Sequence, residues 1–217
     1  MKLAFVFPGQ GSQSVGMLDS FAENPHVQSA LKTANDALGE NLEELIHTGP
    51  AESLNMTVNT QPAMLTASVA LYQAWLAMGG KKPEIMAGHS LGEYSALTAA
   101  GVFELADAVR LVRFRAKVMQ EAVPAGQGGM AAIIGLTDEA VQQVCEEAAA
   151  AGVVEAVNFN SPGQVVIAGE KAAVEKACEV AKSKGAKRAL VLPVSAPFHS
   201  SLMKPASAAL KEKLEQT

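Results

Sequence analysis

The chain has 217 residues, of which 49% are hydrophobic, and its formal net charge is -5. This composition allows a substantial core in one or two domains, and the lack of a dense run of Lys and Arg argues against nucleic-acid binding. No apolar stretch reaches the roughly 18 residues of a membrane span, and the apolar start is too short for a signal peptide, so we expect a cytoplasmic protein without membrane contact.

The first half of the chain predicts alternating strands and helices. The apolar run Leu3–Phe7 predicts a buried strand, which Pro8-Gly9 ends, and a loop and helical patterns continue to about Ile46. A long buried helix is predicted from about Gln61 to Met78, with Leu65, Val69, Leu71, Tyr72, Trp75 and Leu76 as core candidates. A short strand at 85–87 and a helix at 105–122 complete a pattern typical of an α/β domain with a parallel sheet.

The segment Gly88-His89-Ser90-Leu91-Gly92 has the Gly-x-Ser-x-Gly pattern between a short apolar run and a helical pattern. This context predicts a nucleophile elbow, in which glycines permit a tight strand-to-helix turn and the serine is placed to attack a carbonyl. The alternative interpretation is a serine that only caps the helix, since Ser is a preferred N-cap residue.

After a linker-like stretch at 124–129, the pattern predicts a second, smaller domain. Strands are predicted at 130–134, 153–159, 165–168 and 188–192, and helices at 138–150 and 171–183. This βαββαβ order is that of ferredoxin-like domains. We therefore predict a hydrolase-like main domain from residues 1–123 and 194–217, where a last helix lies at about 202–216, and an inserted ferredoxin-like domain from residues 124–193.

A serine nucleophile needs a base, and the chain has four histidines. His26 and His47 lie in polar helical surroundings, and the side chain of His89 leaves the elbow in another direction. His199 lies in a loop between a strand and a helix that can reach the sheet edge, so it is the candidate base, the alternative being a loop histidine bonded to backbone groups. Cys145 and Cys178 lack Cys or His neighbours and are predicted to be buried thiols.

Acyl transfer also needs donors for an oxyanion. In an elbow, the residue after the serine supplies one backbone N–H, here Leu91. Gln10, between two glycines in the loop after the first strand, is the candidate for the second. A phosphate-binding loop is disfavoured because Gly-Lys-Ser/Thr and Gly-x-Gly-x-x-Gly are both absent, and a plain glycine turn is the remaining alternative.

Five motifs together resemble one enzyme family. They are Phe7-Pro8-Gly9-Gln10-Gly11-Ser12-Gln13, Gly88-His89-Ser90-Leu91-Gly92-Glu93-Tyr94, Arg113-Phe114-Arg115-Ala116-Lys117, Asn158-Phe159-Asn160-Ser161-Pro162-Gly163 and Ser195-Ala196-Pro197-Phe198-His199. In this order and spacing they resemble the malonyl-CoA:acyl carrier protein transacylases of type II fatty acid synthesis, and they are similar to the acyltransferase domains of polyketide synthases. The resemblance covers essentially the whole chain.

The resemblance implies a role for each candidate residue. Ser90 would accept the malonyl group as an ester, His199 would act as base and then acid, and the backbone N–H groups of Gln10 and Leu91 would hold the oxyanion. Arg115 would bind the free carboxylate of malonate, and Phe198 and Asn160 would contribute to substrate binding. Malonyl-CoA and acyl carrier protein would be the partners, and we expect a monomer with no metal or cofactor.

Arginine suits this role because its planar fork matches a carboxylate in a bidentate way. Without the resemblance, Arg115 would be read as one of the charges on a solvated helix face with Arg110, Arg113 and Lys117. The bulky ring of Phe198 is expected to crowd a methyl branch on the acyl group and so to favour malonyl over methylmalonyl.

Members of the family usually continue well past the length of this chain, and their further portion supplies the group that orients the catalytic histidine. No third member of the catalytic set is therefore assigned. The alternatives to a transacylase are a serine hydrolase or thioesterase, to which the elbow and the Ser-then-His order are also suited, and an inactive truncated fragment.

Overall fold

The computed structural model of the chain describes residues 2–194 and 196–217, so Met1 and Ser195 of the last motif lie outside the described residues. The chain has an α/β fold with two compact units, one formed by Met1–Lys117 with Lys213–Thr217 and the other by Val118–Glu212. The domain boundaries at 123/124 and 193/194 stay a prediction.

In the first unit, strands β1 (Ala4–Phe7) and β2 (Ile85–Gly88) pair in parallel, with Phe7 opposite Gly88. The helices are α1 (Pro25–Leu38), α2 (Leu42–Thr48), α3 (Ala51–Leu54), α4 (Thr57–Ala77), α5 (Leu91–Ala99) and α6 (Leu105–Glu121), the last of which runs past Lys117. The predicted helix at 105–122 is confirmed, and a strand lies where one was predicted at 3–7. The prediction that this strand is buried is wrong, because Phe7 alone of its residues is buried and Val6 is 78% exposed. Helix α4 begins one turn earlier than predicted.

Helix α4 is mostly buried, because helices pack on several of its faces, and Leu65, Val69 and Tyr72 lie in the core as predicted. The same prediction is wrong for Leu71, Trp75 and Leu76, which are more than a third exposed. Leu71 and Trp75 border an open apolar groove of about 500 Å³ beside β1. The residues that line this groove include Phe5, Val6, Leu71, Tyr72, Trp75 and Met78.

In the second unit, a sheet with strand order β4-β5-β3-β6 is antiparallel throughout. Its strands are β3 (Gly128–Ile134), β4 (Val154–Ser161), β5 (Gln164–Glu170) and β6 (Arg188–Val191), and its helices are α7 (Asp138–Ala148), α8 (Lys171–Ser183) and α9 (Lys204–Leu214). The predicted βαββαβ order of elements is confirmed. Strand β3 begins two residues earlier than predicted, because Gly128 and Gly129 pair with the end of β5.

Two apolar clusters stabilise the second unit. Helices α7 and α8 bury Val141, Val144, Val174 and Ala177 against one cluster, which also contains Ile133 and Ile167. Cys145 and Cys178 lie in it as free, buried thiols, which confirms that prediction. The other cluster includes Met130, Ala168 and Phe198.

Candidate active site

Ser90 lies at the sharp turn between β2 and α5, in the position of the helix N-cap. Its φ of 52° and ψ of -106° place it outside the regions that L-residues normally occupy. Its side chain accepts no bond from the first turn of the helix, so the capping interpretation does not describe it. A strained backbone at a serine that starts a helix is the conformation expected of a nucleophile elbow.

The glycines of the motif are required by close backbone packing. A methyl group on Gly88 would collide with the backbone of Gly92, and one on Gly92 would collide with the carbonyl oxygen of Phe7 in β1. The backbone N–H of Gly92 donates to the carbonyl of His89 at 2.8 Å, which closes the turn. The Gly-x-Ser-x-Gly spacing thus lets α5 begin directly against the strands.

The loop after β1 lies against this turn. A Cβ atom on Gly9 would stand 2.7 Å from the carbonyl oxygen of His89, so only glycine allows this approach. Gln10 follows Gly9 and is therefore held beside the elbow. Leu91 is the first residue of α5, where backbone N–H groups have no acceptor one turn earlier. The structure thus brings the loop that contains Gln10 against the elbow, and Leu91 follows Ser90 directly, both within the first unit.

Arg115 is 6% exposed and points toward Ser90 from α6. Its Nη2 donates to Ser90 Oγ at 3.1 Å and its Nη1 donates to Gln61 Oε1 at 2.7 Å, while the guanidinium carbon lies 5.3 Å from the centroid of the Tyr94 ring. Arg113, two positions earlier, lies on the other side of the helix and forms a bidentate pair with Glu40. The solvated-face interpretation therefore holds for Arg110, which is half exposed, and not for Arg115, while Arg113 is partly buried in its pair with Glu40.

The site contains a buried positive charge, the guanidinium of Arg115. Burial lowers the pKa of Arg115, while the nearby Tyr94 and Glu93 oppose this shift. Burial likewise raises the pKa of Tyr94, and Arg115 opposes that shift. Among the ion pairs formed by the described residues, none involves Arg115. Because a guanidinium stays protonated in proteins, the site is suited to an anionic group placed beside Ser90.

Gln61 is a site residue that the sequence analysis missed. It is fully buried in α4, accepts from Arg115, and donates from Nε2 to Gln10 Oε1 at 3.1 Å. Gln10 in turn donates to Thr57 Oγ1 at 3.2 Å. The sequence signal was weak, because Gln61 is one of several polar residues in α4 and belongs to no motif.

His199, Phe198 and Asn160 belong to the second unit. His199 is exposed, and with Ser90 it is one of the two non-glycine residues with positive φ in the part of the chain that the structure describes. The turn around it is closed by a bond from Ser200 Oγ to the carbonyl of Pro197 at 2.7 Å. Phe198 is buried in the apolar cluster with Met130 and Ala168. Asn160 lies exposed near the end of β4.

The other histidines occupy different surroundings. His26 is exposed at the start of α1, and His47 at the end of α2 pairs with Asp19. Across residues 2–194 and 196–217, no group of three or more His, Cys, Asp or Glu side chains is arranged to hold a metal ion. Over the same residues, no helix has both the length and the apolar character that crossing a membrane requires.

Comparison with known proteins gives consistent matches over the whole chain. The family model described as acyl transferase domain matches residues 4–217. The malonyl CoA-acyl carrier protein transacylase of Escherichia coli (strain K12) is 62% identical over 214 residues, which cover 98% of this chain and 69% of that protein. The chain thus spans about two thirds of this relative's length.

Solved structures also match. The crystal structure of an acyl-carrier-protein S-malonyltransferase from Burkholderia pseudomallei 1710b superposes with a TM-score of 0.97 at 66% identity, covering 99% of this chain and 70% of that one. A second structure, of a type II PKS acyl-carrier protein in complex with its malonyl-transacylase, matches with a TM-score of 0.97 at 55% identity and covers 100% of this chain and 70% of the matched one.

Proposed function

The chain belongs to the acyl transferase domain family, among the malonyl CoA-acyl carrier protein transacylases, and from this membership we propose that it transfers malonyl groups. The donor is malonyl-CoA, the acceptor is the phosphopantetheine thiol of acyl carrier protein, and the intermediate is a malonyl ester on Ser90. The product supplies fatty acid synthesis.

One observation in particular supports malonyl as the transferred group. A buried arginine without an ion-pair partner among the described residues donates a hydrogen bond to the nucleophile of an elbow. An acyl group with a free carboxylate would neutralise Arg115, whereas an acetyl group would leave the charge uncompensated in a desolvated site. A serine hydrolase of neutral esters has no use for this cation.

In the first half-reaction, Ser90 Oγ attacks the thioester carbonyl of malonyl-CoA while His199 takes the hydroxyl proton. The developing oxyanion accepts hydrogen bonds from the backbone N–H groups of Gln10 and Leu91, with the positive end of α5 aimed at the same point. The C–S bond then breaks, CoA leaves as a thiol with the proton from His199, and the malonyl group remains on Ser90.

In the second half-reaction, the phosphopantetheine thiol of acyl carrier protein gives its proton to His199 and attacks the Ser90 ester. The same two N–H groups stabilise the second oxyanion, and Ser90 Oγ recovers the proton as it leaves. One thioester replaces another, so the exchange is nearly balanced in free energy. Arg115 holds the carboxylate throughout and keeps the acyl group in one position.

We further propose roles for Phe198 and Asn160 and a fold type for each of the two domains. Phe198 excludes branched acyl groups, and Asn160 contributes to substrate binding. The antiparallel order β4-β5-β3-β6 with two helices supports a ferredoxin-like domain, and the elbow between β2 and α5 supports a hydrolase-like main domain. The two free thiols are typical of a reducing compartment, which supports a cytoplasmic location, and the monomeric state stays a prediction.

Mass spectrometry of the protein mixed with malonyl-CoA tests the proposal. A malonyl adduct that maps to Ser90, is absent in Ser90→Ala, and is discharged by acyl carrier protein is the expected result. Steady release of free malonate would identify a hydrolase instead, and the absence of any adduct would identify an inactive fragment. A version of the chain extended to the full length of its relatives, measured in parallel, separates loss of activity through truncation from a wrong assignment.

A further inference from the structure

A line of side chains joins the residue that would bind the carboxylate to the loop that would bind the oxyanion. It runs from Arg115 to Gln61 at 2.7 Å, from Gln61 to Gln10 at 3.1 Å, and from Gln10 to Thr57 at 3.2 Å. All four residues belong to the first unit. The line connects α6, α4 and the loop after β1, which are distant in sequence.

The direction of every bond in this line is set by Arg115. A guanidinium only donates, so Gln61 must turn its amide oxygen toward Arg115 and its NH₂ group toward Gln10. Gln10 must then present its own oxygen to Gln61 and its NH₂ group to Thr57 Oγ1. Reversing either amide would place two donors or two acceptors against each other. Because Gln61 is fully buried, its amide cannot replace such a bond with one to water.

We propose that Gln61 is a positioning residue that couples carboxylate binding at Arg115 to the orientation of the Gln10 backbone N–H in the oxyanion hole. This inference rests on the proposed function. A carboxylate on Arg115 fixes the guanidinium plane, which fixes the Gln61 amide and through it the loop that contains Gln10. An acetyl group leaves Arg115 without its anion, so the loop is less well ordered when the oxyanion forms. Malonyl is thereby favoured over acetyl in the rate of Ser90 acylation as well as in binding.

The first test is kinetic and compares two variants. Gln61→Met keeps the volume of the side chain but removes the amide that accepts and donates hydrogen bonds. Gln10→Ala removes the side-chain amide but keeps the backbone N–H. Both are expected to slow acylation of Ser90 by malonyl-CoA by about tenfold, as expected when an oxyanion donor is misplaced rather than removed. Acylation by acetyl-CoA should change by less than about threefold, and the double variant should be no slower than the slower single one. Equal losses with both substrates would indicate a purely structural role and would overturn the proposal.

The matched control is Asn55→Ala. Asn55 accepts from Gln13 at 2.7 Å and so anchors the same loop to the segment before α4, outside the line through Gln61. This variant should keep the wild-type ratio of malonyl to acetyl acylation rates. A change as large as that of Gln61→Met would mean that any loss of loop anchoring has the same effect, which would also overturn the proposal.

The second test does not depend on turnover. In NMR spectra of the chain, adding malonate should shift the Nε–H signal of Arg115, assigned with Arg115→Lys, and the side-chain NH₂ signals of Gln10, assigned with Gln10→Ala. In Gln61→Met, the Arg115 signal should still shift while the Gln10 shift falls by more than half. If Gln10 responds equally without Gln61, the coupling is wrong although carboxylate binding stands. If Arg115 itself does not respond, the proposed carboxylate site fails and the coupling with it.

Discussion

At the scale of single residues, two arginines of α6 separated by two positions have opposite roles. Arg113 holds Glu40 at the surface, and Arg115 is buried against Ser90, Gln61 and Tyr94. Positions two apart on a helix point to nearly opposite sides, so a cluster of charges in the sequence does not imply a cluster in space. Arg115 is the buried one of the two and has no ion-pair partner among the described residues. It is therefore the candidate for binding the carboxylate of the substrate.

Replacing Arg115 with Lys should therefore weaken the use of malonyl-CoA specifically. Losing the charge-assisted bidentate contact is expected to lower the rate of Ser90 acylation by malonyl-CoA by about 10- to 100-fold, while acylation by acetyl-CoA stays within about threefold of the wild type. Stopped-flow quenching followed by mass spectrometry measures both rates. Arg113→Lys, on the opposite face of α6, should change neither rate, and an equal effect from both variants would contradict the role given to Arg115.

Phe198 is the residue to change for branched substrates. Phe198→Ser should allow Ser90 to be acylated by methylmalonyl-CoA, which the wild type should reject, because removal of the ring makes room for a methyl group. Undiminished rejection of methylmalonyl-CoA by a folded Phe198→Ser protein would refute this. Since Phe198 is buried among apolar side chains, thermal unfolding of the variant must be measured, and Phe198→Leu provides a milder change if Ser does not fold.

The residues themselves predicted Ser90, Gln10, Leu91 and His199 as site residues, because each lies in a local motif or in a loop beside one. Arg115 was predicted only through the family resemblance, since its own segment looks like a solvated helix face. Gln61 was not predicted, because it is one of three amides in α4, with Asn59 and Gln73, and has no local signature that separates it from them. Its role depends on contacts with Arg115 and Gln10, which come from other elements. The inward orientation of Arg115 also depends on the register of α6 against its neighbours, which the charges of the segment do not reveal.

At the scale of elements, the elbow depends on the close approach of α5 to the parallel strands. Gly88 packs on Gly92, and Gly92 packs on the carbonyl of Phe7. Both contacts involve backbone atoms, which cannot move aside as the end of a flexible side chain can. The position of Ser90 and the direction of the α5 axis are thus fixed by the same two glycines.

A single added methyl group should therefore separate the helix from the strand. Gly92→Ala is expected to lower the free energy of unfolding by about 2 kcal/mol or more, the range found for overpacked cores, and to reduce acylation of Ser90. Urea denaturation gives the free energy. Gly129→Ala in β3, where the new methyl would meet only the Cα atom of Lys171 at 4.0 Å, is the control and should change stability by much less.

The first and last residues of an element were predicted well where hydrophobicity changes abruptly along the sequence. They were missed where backbone pairing between strands, or tertiary packing, sets the boundary. The bounds of strand β1 match the prediction within one residue, and those of helix α8 match it fully. Strand β3 gains Gly128 and Gly129, which have no side chain to signal a strand and which pair with Glu170 and Gly169. Helix α4 begins among Thr57, Val58 and Asn59, residues of low helix propensity, because that turn is held by its tertiary packing.

Cys145 in helix α7 makes a pH-dependent contribution to the free energy of unfolding. Burial raises the pKa of the Cys145 thiol from 9.0 to about 11. The unfolded chain therefore loses this proton first, so the contribution is complete below pH of about 9 and is lost as the pH rises toward 11. The free energy of unfolding in urea should fall over this interval, and Cys145→Ala should fall less steeply. Parallel curves for the two proteins would show that the thiol has no such effect.

At the scale of the whole molecule, the second unit has its own sheet, its own helices on that sheet and two apolar clusters drawn entirely from residues 118–212. A complete core of this kind is what an independently folding domain requires. A fragment of residues 118–212 should therefore fold alone, giving the circular dichroism of a mixed α and β protein and one cooperative thermal transition. A gradual, non-cooperative melt would contradict its independence.

The aromatic side chains of the groove beside β1 have a spectroscopic consequence. Trp75, the one tryptophan of the sequence, meets Phe5 edge-on and donates its indole N–H to the carbonyl of Lys81, and Tyr72 and Tyr94 are the two tyrosines. All three chromophores lie in the first unit, and residues 118–212 contain none. Intrinsic fluorescence is therefore a reporter of the first unit alone, whereas circular dichroism reports both units. A difference between the two denaturation curves would show that the second unit unfolds separately.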